Sequence, residues 1–280
     1  MPRTVLRDAM TRRLQGMRAI ASSYDDFLVD LWGVIHNGER AFDGVLPALE
    51  ALADAGRRVL FVTNSSRLGE LVVVHLVDQL GIGRALFHDV VSSGDVTRAA
   101  LLARDPELFR SLPATPRVFH LGSASFVPWL FEMDFAFVDD VDDADFIVAT
   151  GTFRDARALE EARSLLAYAA ARGVPLVCTN PDRILPHATR EVLGPGAIAH
   201  VHAEAGARVF LYGKPHAPIY AEAWRRLGGD PGRRVVAIGD LVDTDIRGAR
   251  GAGLDSVLVG PTNGGAEDVA PDMRIDRFVW

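Results

Sequence analysis

Lysine is nearly absent from this 280-residue sequence: Lys214 is the single one, and the other 29 of its 30 basic residues are arginine. A retained lysine in such a chain marks a place that needs a compact ammonium where a planar guanidinium fails, the alternative being chance survival at an exposed position. Cysteine is equally scarce. Cys178 stands alone, which excludes an intrachain disulfide and a cysteine-built zinc site and fits a reducing compartment. No apolar run approaches the roughly 18 residues of a membrane span. The start, MPRTVLRDAMTRRLQGM, is amphipathic and arginine-dotted and lacks the apolar stretch of a secretion signal. A cytoplasmic location is expected. Positive charge is not in excess either: 37 acidic against 30 basic residues leave a net charge of −7, which repels phosphate backbones and anionic lipid. Neither nucleic acid nor membrane is therefore expected as a partner. A small molecule is the expected ligand, and a second copy of the chain stays open as a partner.

What is present is ordinary globular composition, 49% hydrophobic and 24% charged, which excludes disorder and fibrous folds. The length suits one large domain or two modest ones. Short β-rich apolar runs at 27–31, 58–62, 90–92, 117–121, 135–138, 146–149, 176–178, 209–212, 235–238 and 256–259 alternate with helical patterns at 46–55, 68–80, 95–103, 156–171, 218–227 and 244–251. This is the signature of an α/β fold with parallel sheet, and ten strands are too many for one compact sheet. The stretch from 113 to 205 differs in texture. It opens after a proline-bearing turn, carries the acidic run DDVDDAD (139–145) and closes at LGPGA (193–197). We expect a parallel-sheet core from 1–112 and 206–280 and an inserted α/β domain at 113–205. A solvated loop is favoured over a cation site for the acidic run, because its carboxylates neither face one way nor alternate with turn glycines.

Three expected strand ends carry polar residues that an apolar sheet does not need: DLWGVIHNG (30–38), VTNSS (62–66) and AIGDLVDTDIRGA (237–249). A fourth, YGKP (212–215), carries the sole lysine. Open parallel sheets bind ligands at the carboxyl ends of their strands, so these loops can converge. A carboxylate, a Thr-Asn pair, a lysine and a second acidic cluster suit a phosphate with a divalent cation.

The order and spacing of Asp30, Thr63, Lys214 and Asp240 with Asp245 resemble the four motifs of the haloacid dehalogenase-like (HAD) hydrolase superfamily. The long insertion before the third motif, with TNPD at 179–182, resembles the C2-type α/β cap of subfamily IIA, the nitrophenylphosphatase, nucleotide and sugar phosphatase relatives. The resemblance spans roughly residues 25 to 260. It implies an Mg²⁺-dependent phosphohydrolase acting on a small phosphorylated metabolite. Asp30 would be the nucleophile, forming an aspartyl phosphate. Thr63, Asn64 and Ser65 would bind phosphate oxygens, and Lys214 would neutralise the phosphate. Asp30, Asp240 and the backbone carbonyl of Trp32 would hold Mg²⁺, with Asp245 holding the metal-bound waters or Lys214. Asp243 has no role in the pattern and reads as a surface or helix-capping residue.

One position departs from the family pattern. A second Asp usually follows the nucleophile by two residues as general acid, but here that position is Trp32. Losing a positioned acid typically costs about 10²- to 10⁴-fold. Either His36 on the same loop replaces it, or the substrate has a leaving group that needs little protonation. The alternative function is a non-catalytic or regulatory phosphate-ligand-binding protein that has lost its acid. Within the insertion, Asn180, Asp182 and Arg183 stand where a loop could reach substrate, or simply build an Asn-Pro-Asp turn. Trp129, Phe131, Phe135 and Phe137 are expected in the insertion's core. His200 and His202, near Glu204, are expected at the surface and not as metal ligands.

Overall fold

The computed structural model describes residues 11–151, 156–187, 190–263 and 269–280. By spatial proximity the chain divides into two compact units. One comprises Met1–Phe61, Val77–His88 and Leu227–Trp280, the other Val62–Leu76 and Asp89–Arg226. The fold class is α/β with parallel sheets, as expected. All ten expected strands are present, and Val235–Leu241 and Asp255–Asn263 run furthest beyond their expected ends.

In the first unit the central strand Asp26–Val29 lies between Arg58–Thr63 and Val235–Leu241, all parallel, and Asp255–Asn263, Met273–Ile275 and Arg12–Arg13 continue the sheet outward from Val235–Leu241. Every residue of Asp26–Val29 is buried, which is why the strand reads as an unbroken apolar run after its first residue. Helix Val45–Asp54 buries Val45, Ala48, Leu49 and Leu52, one helical stripe. The two ends of this sheet are chemically opposite. At the amino ends, Asp26 is only 1% exposed and accepts four hydrogen bonds, from Arg58 Nε and Nη2 (2.6 and 2.8 Å) and Arg233 Nε and Nη2 (2.7 and 2.6 Å). Fork-shaped guanidinium groups on both sides satisfy a carboxylate that would otherwise be costly to bury. The carboxyl ends carry the candidate site.

The second unit holds its own parallel sheet, in the order Val209–Leu211, Leu176–Cys178, Phe146–Thr150, Arg117–Gly122, Ala136–Val138. Helices Ala156–Ala171 and Pro195–Glu204 contribute Leu166, Ala169 and Ile198 to a core with Ile147, Ala149, Leu176 and Cys178. Strand Val209–Leu211, which the sequence reading places in the segment 206–280, thus pairs with Leu176–Cys178 of this second sheet. Helix Ser93–Leu102 opens on a reciprocal cap: Ser92 Oγ accepts from the Asp95 amide (2.9 Å) and Asp95 Oδ2 from the Ser92 amide (3.1 Å).

Several expectations change. The Gly/Pro-rich LGPGA does not simply close a segment, because Pro195 starts a ten-residue helix. An antiparallel pair, Ile184–His187 with Arg190–Leu193, was not foreseen. His202 is fully buried, its two ring nitrogens against the carbonyls of Leu166 (3.2 Å) and Val174 (2.8 Å), so it is a core histidine and not a surface one. His200 is at the surface, paired with Glu204 (3.2 Å). Trp129 is buried, whereas Phe131 (43% exposed) and Phe137 (36% exposed) stack on each other in the open, 4.7 Å between centroids, and are not core. The acidic run is a turn whose carboxylates pair with arginines: Asp142 with Arg172 (2.9 Å), Asp143 and Asp145 with Arg117 (3.2 and 3.4 Å).

Candidate active site

The first unit supplies carboxylates. Val29 and Ile238 are level in neighbouring strands, and the amide of Asp30 donates to the Ile238 carbonyl (2.8 Å). Asp30 and Asp240 therefore lie at the carboxyl ends of two adjacent parallel strands. Carboxylate oxygens of Asp30, Asp240 and Asp245 lie within 4.8 Å of one another, the one group of three or more His, Cys, Asp or Glu with that geometry among the described residues. Asp30 and Asp245 are buried. Asp245 Oδ2 accepts from the Leu241 amide (3.2 Å) and the Thr244 hydroxyl (3.4 Å), which fixes its direction.

Glycine makes this crowding feasible. A Cβ at Gly33, whose φ is +81°, would lie 2.1 Å from Asp240 Oδ2, and one at Gly239 would lie 2.0 Å from Asp245 Cγ. Sequence reasoning did not single out either residue, although a Gly three residues after a strand-end Asp is the signal for such an approach. Three converging carboxylates repel one another unless a cation compensates them, and an all-oxygen donor set suits a hard divalent ion such as Mg²⁺. The residues present therefore fit the metal that the resemblance implies. Asp243 lies outside this group, exposed and paired with Arg247 (3.4 Å).

Trp32 and His36 belong to the same loop. The indole covers Gly38, where a Cβ would meet Trp32 Cη2 at 2.3 Å, and meets the His36 ring edge to face at 5.6 Å. His36 is buried, and its Nδ1 accepts from the Gly38 amide (2.9 Å), so a neutral ring carries its proton on Nε2.

The second unit holds the other expected site residues. Thr63 ends the strand Arg58–Thr63, and its hydroxyl accepts from the Ser65 amide (3.2 Å). Ser65 Oγ accepts from the Arg67 amide (3.2 Å). Asn64 and Lys214, 150 residues apart, meet directly: the Lys214 amide donates to Asn64 Oδ1 (2.7 Å), and Asn64 Nδ2 donates to the Lys214 carbonyl (3.1 Å) and to Asp182 Oδ1 (2.7 Å). Asn180 Oδ1 accepts from the Asp182 amide (2.9 Å), the Asx turn foreseen as one reading of TNPD. Arg183 is exposed. Lys214 is buried, and burial lowers the pKa of His216 two residues on. Sequence reasoning missed Gly213, where a Cβ would lie 2.6 Å from Asn64 Oδ1 and 2.7 Å from Pro181 Cδ.

Residues 27–136 match the family described as haloacid dehalogenase-like hydrolase, and residues 211–279 match the HAD-hydrolase-like family. The D-glycerol 3-phosphate phosphatase of Mycobacterium tuberculosis (strain ATCC 25618 / H37Rv) is 32% identical over 245 residues, 87% of this chain, and this chain spans 65% of that relative's length. A solved glycerol phosphate phosphatase from Mycobacterium tuberculosis, in complex with magnesium, is 29% identical with a TM-score of 0.67, over 92% of this chain and 76% of that one. A solved haloacid dehalogenase-like family hydrolase from Brucella suis 1330 is 31% identical with a TM-score of 0.82, over 95% of this chain and 100% of that one. Likeness of that depth along both chains, with family matches at both ends of this sequence, decides the family: the protein is a haloacid dehalogenase-like hydrolase.

Proposed function

We propose that the protein hydrolyses a phosphate monoester of a small metabolite, a sugar phosphate, nucleotide or similar compound, with Mg²⁺ as cofactor. The observation that carries this reading is the convergence of Asp30, Asp240 and Asp245 within 4.8 Å at the carboxyl end of a parallel sheet. An Asp30 oxygen attacks phosphorus, the bond from phosphorus to the leaving oxygen breaks, and that oxygen takes a proton. Water then attacks the aspartyl phosphate, releasing inorganic phosphate and restoring the Asp30 carboxylate. Asp30, Asp240 and the Trp32 backbone carbonyl would hold Mg²⁺, with Asp245 orienting the ion's waters. The bound ion would offset the negative charge of phosphate and carboxylate together. Thr63, Ser65 and Lys214 supply donors to the phosphate oxygens, and His36, once protonated to the imidazolium with Nδ1 turned from the Gly38 amide, would supply the leaving-group proton from Nε2. In this reading 113–205 is a cap inserted in a core of 1–112 and 206–280, and its residues set specificity. The names of the Mycobacterium tuberculosis relatives make small polyol phosphates the first substrates to screen.

A second reading, a phosphate-binding protein without turnover, is favoured by Trp32 alone, because indole neither gives nor takes a proton at physiological pH. Multiple turnover separates the two. The purified protein with Mg²⁺ is expected to release many equivalents of phosphate from p-nitrophenyl phosphate, and Asp30→Asn to lower the rate by at least about 10³-fold. Sub-stoichiometric release by the wild type would favour the second reading. Turnover that survives Asp30→Asn would remove Asp30 as nucleophile.

A further inference from the structure

We propose that Asn64 and Asp182 are positioning residues that clamp the backbone of Lys214. The inference rests on the reading of Lys214 as the phosphate-binding lysine and assigns to Asn64 and Asp182 a task other than touching substrate.

The donors and acceptors around Asn64 admit one assignment. The backbone amide of Lys214 can only donate, so the atom 2.7 Å away must be the oxygen of the Asn64 amide. That assignment leaves the two hydrogens on Nδ2. One reaches the Lys214 carbonyl at 3.1 Å and the other Asp182 Oδ1 at 2.7 Å. Asn64 is 4% exposed, and both of its N–H groups are committed to protein acceptors. An ionised carboxylate only accepts, so Asp182 fixes which way the amide faces. A flipped amide would place oxygen against the Asp182 carboxylate and N–H against N–H at Lys214.

The surrounding chain is braced to keep this geometry. The Asp182 amide donates to Asn180 Oδ1 (2.9 Å), Ser66 and Thr179 share a buried hydroxyl hydrogen bond (2.7 Å), and Trp129 Nε1 donates to the Ser66 carbonyl (3.2 Å). The lysine stem is four carbons long and flexible. Fixing both hydrogen-bonding groups of its own backbone is the economical way to limit where its ammonium can reach.

Because Lys214 is the sole lysine, protein grown with [¹⁵N]lysine shows one backbone amide signal, and its hydrogen exchange reports the clamp without reference to activity. We expect slow exchange in the wild type, faster by about tenfold or more in Asp182→Ala and in Asn64→Ser, with Asp182→Asn, which keeps an acceptor oxygen, recovering much of the protection. Asp182→Ala should lower kcat/KM for a phosphate ester about tenfold in the wild-type background and by less than about twofold in the Lys214→Met background. Unchanged exchange in both Asp182→Ala and Asn64→Ser would overturn the clamp. An equal loss in both backgrounds would overturn action through Lys214 and leave direct substrate contact. If Lys214→Met itself keeps full kcat/KM, the role of Lys214 fails, while the exchange rates still decide whether the clamp exists. Asn64→Ser cuts the same bonds independently, so poor folding of one variant does not block the test.

Discussion

The acidic group of the first unit and the lysine of the second are held by different means. Asp240 and Asp245 are brought close by backbone that lacks side chains, at Gly33 and Gly239, and Asp245 is aimed by a backbone amide. Lys214 is held by side chains, with the Asn64 amide on both of its backbone groups and the Asp182 carboxylate behind it. The contrast follows from charge. Converging carboxylates gain from close-packed backbone and N–H donors and attract a cation, whereas an ammonium carries the charge an anionic ligand seeks and gains from an anchored base.

Three substitutions sharpen that contrast, and the largest effect is expected at the loop that carries Trp32. His36→Ala should lower turnover of an alkyl phosphate by about 10²-fold while sparing p-nitrophenyl phosphate, whose leaving group departs without a proton. Equal losses on both esters would make His36 a packing residue for Trp32. Next come the glycines. Gly33→Ala drives a methyl into Asp240 at a backbone φ of +81° and should raise the Mg²⁺ requirement about tenfold. Gly213→Ala presses on Asn64 and Pro181 and should instead raise KM for the ester by about threefold with the Mg²⁺ requirement unchanged. If both variants shift Mg²⁺ alike, the carboxylates and Lys214 are not held independently.

The smallest effect on activity is expected at the opposite end of the first sheet. Burial alone would raise the pKa of Asp26, but its bonds to Arg233 and Arg58 outweigh burial and hold it below its usual value. A depressed folded-state pKa gives stability that is complete above the unfolded value of about 4 and is lost as pH falls through the folded one. Asp26→Asn should therefore lower Tm by several degrees at pH 7, with the gap to wild type narrowing below pH ~4, and leave kcat within about twofold. A gap that widens on acidification would reverse the sign of this argument.

The parallel strands were legible because burial on both faces leaves continuous apolar runs, and the helices because glycines mark several of their ends. What stayed hidden has local causes. The pattern at 68–80 reads as one helix, yet α-helix Gly69–Val74 widens into a π-helical stretch at His75–Gln79, a change that apolar spacing does not encode. Met273–Ile275 is three residues long, too short for a period to register. His202 carries no sequence mark of burial, since its partners are carbonyls on other elements. Within the site, residue type and order made Asp30, Asp240 and Asp245 readable as a group. The engagement of Asn64 with the backbone of Lys214 was unreadable, because a Thr-Asn pair after a strand looks the same whether its amide faces a ligand or a loop 150 residues away.

The stacking of Trp32 over Gly38 bears on which substitutions this loop can accept. A side chain at position 38 would collide with the indole, and the φ of +93° there already favours glycine, so the two positions form a pair. Any side chain at position 38 must first displace the indole, which itself rests edge to face on the His36 ring, so an insult at position 38 would be felt at His36 as well.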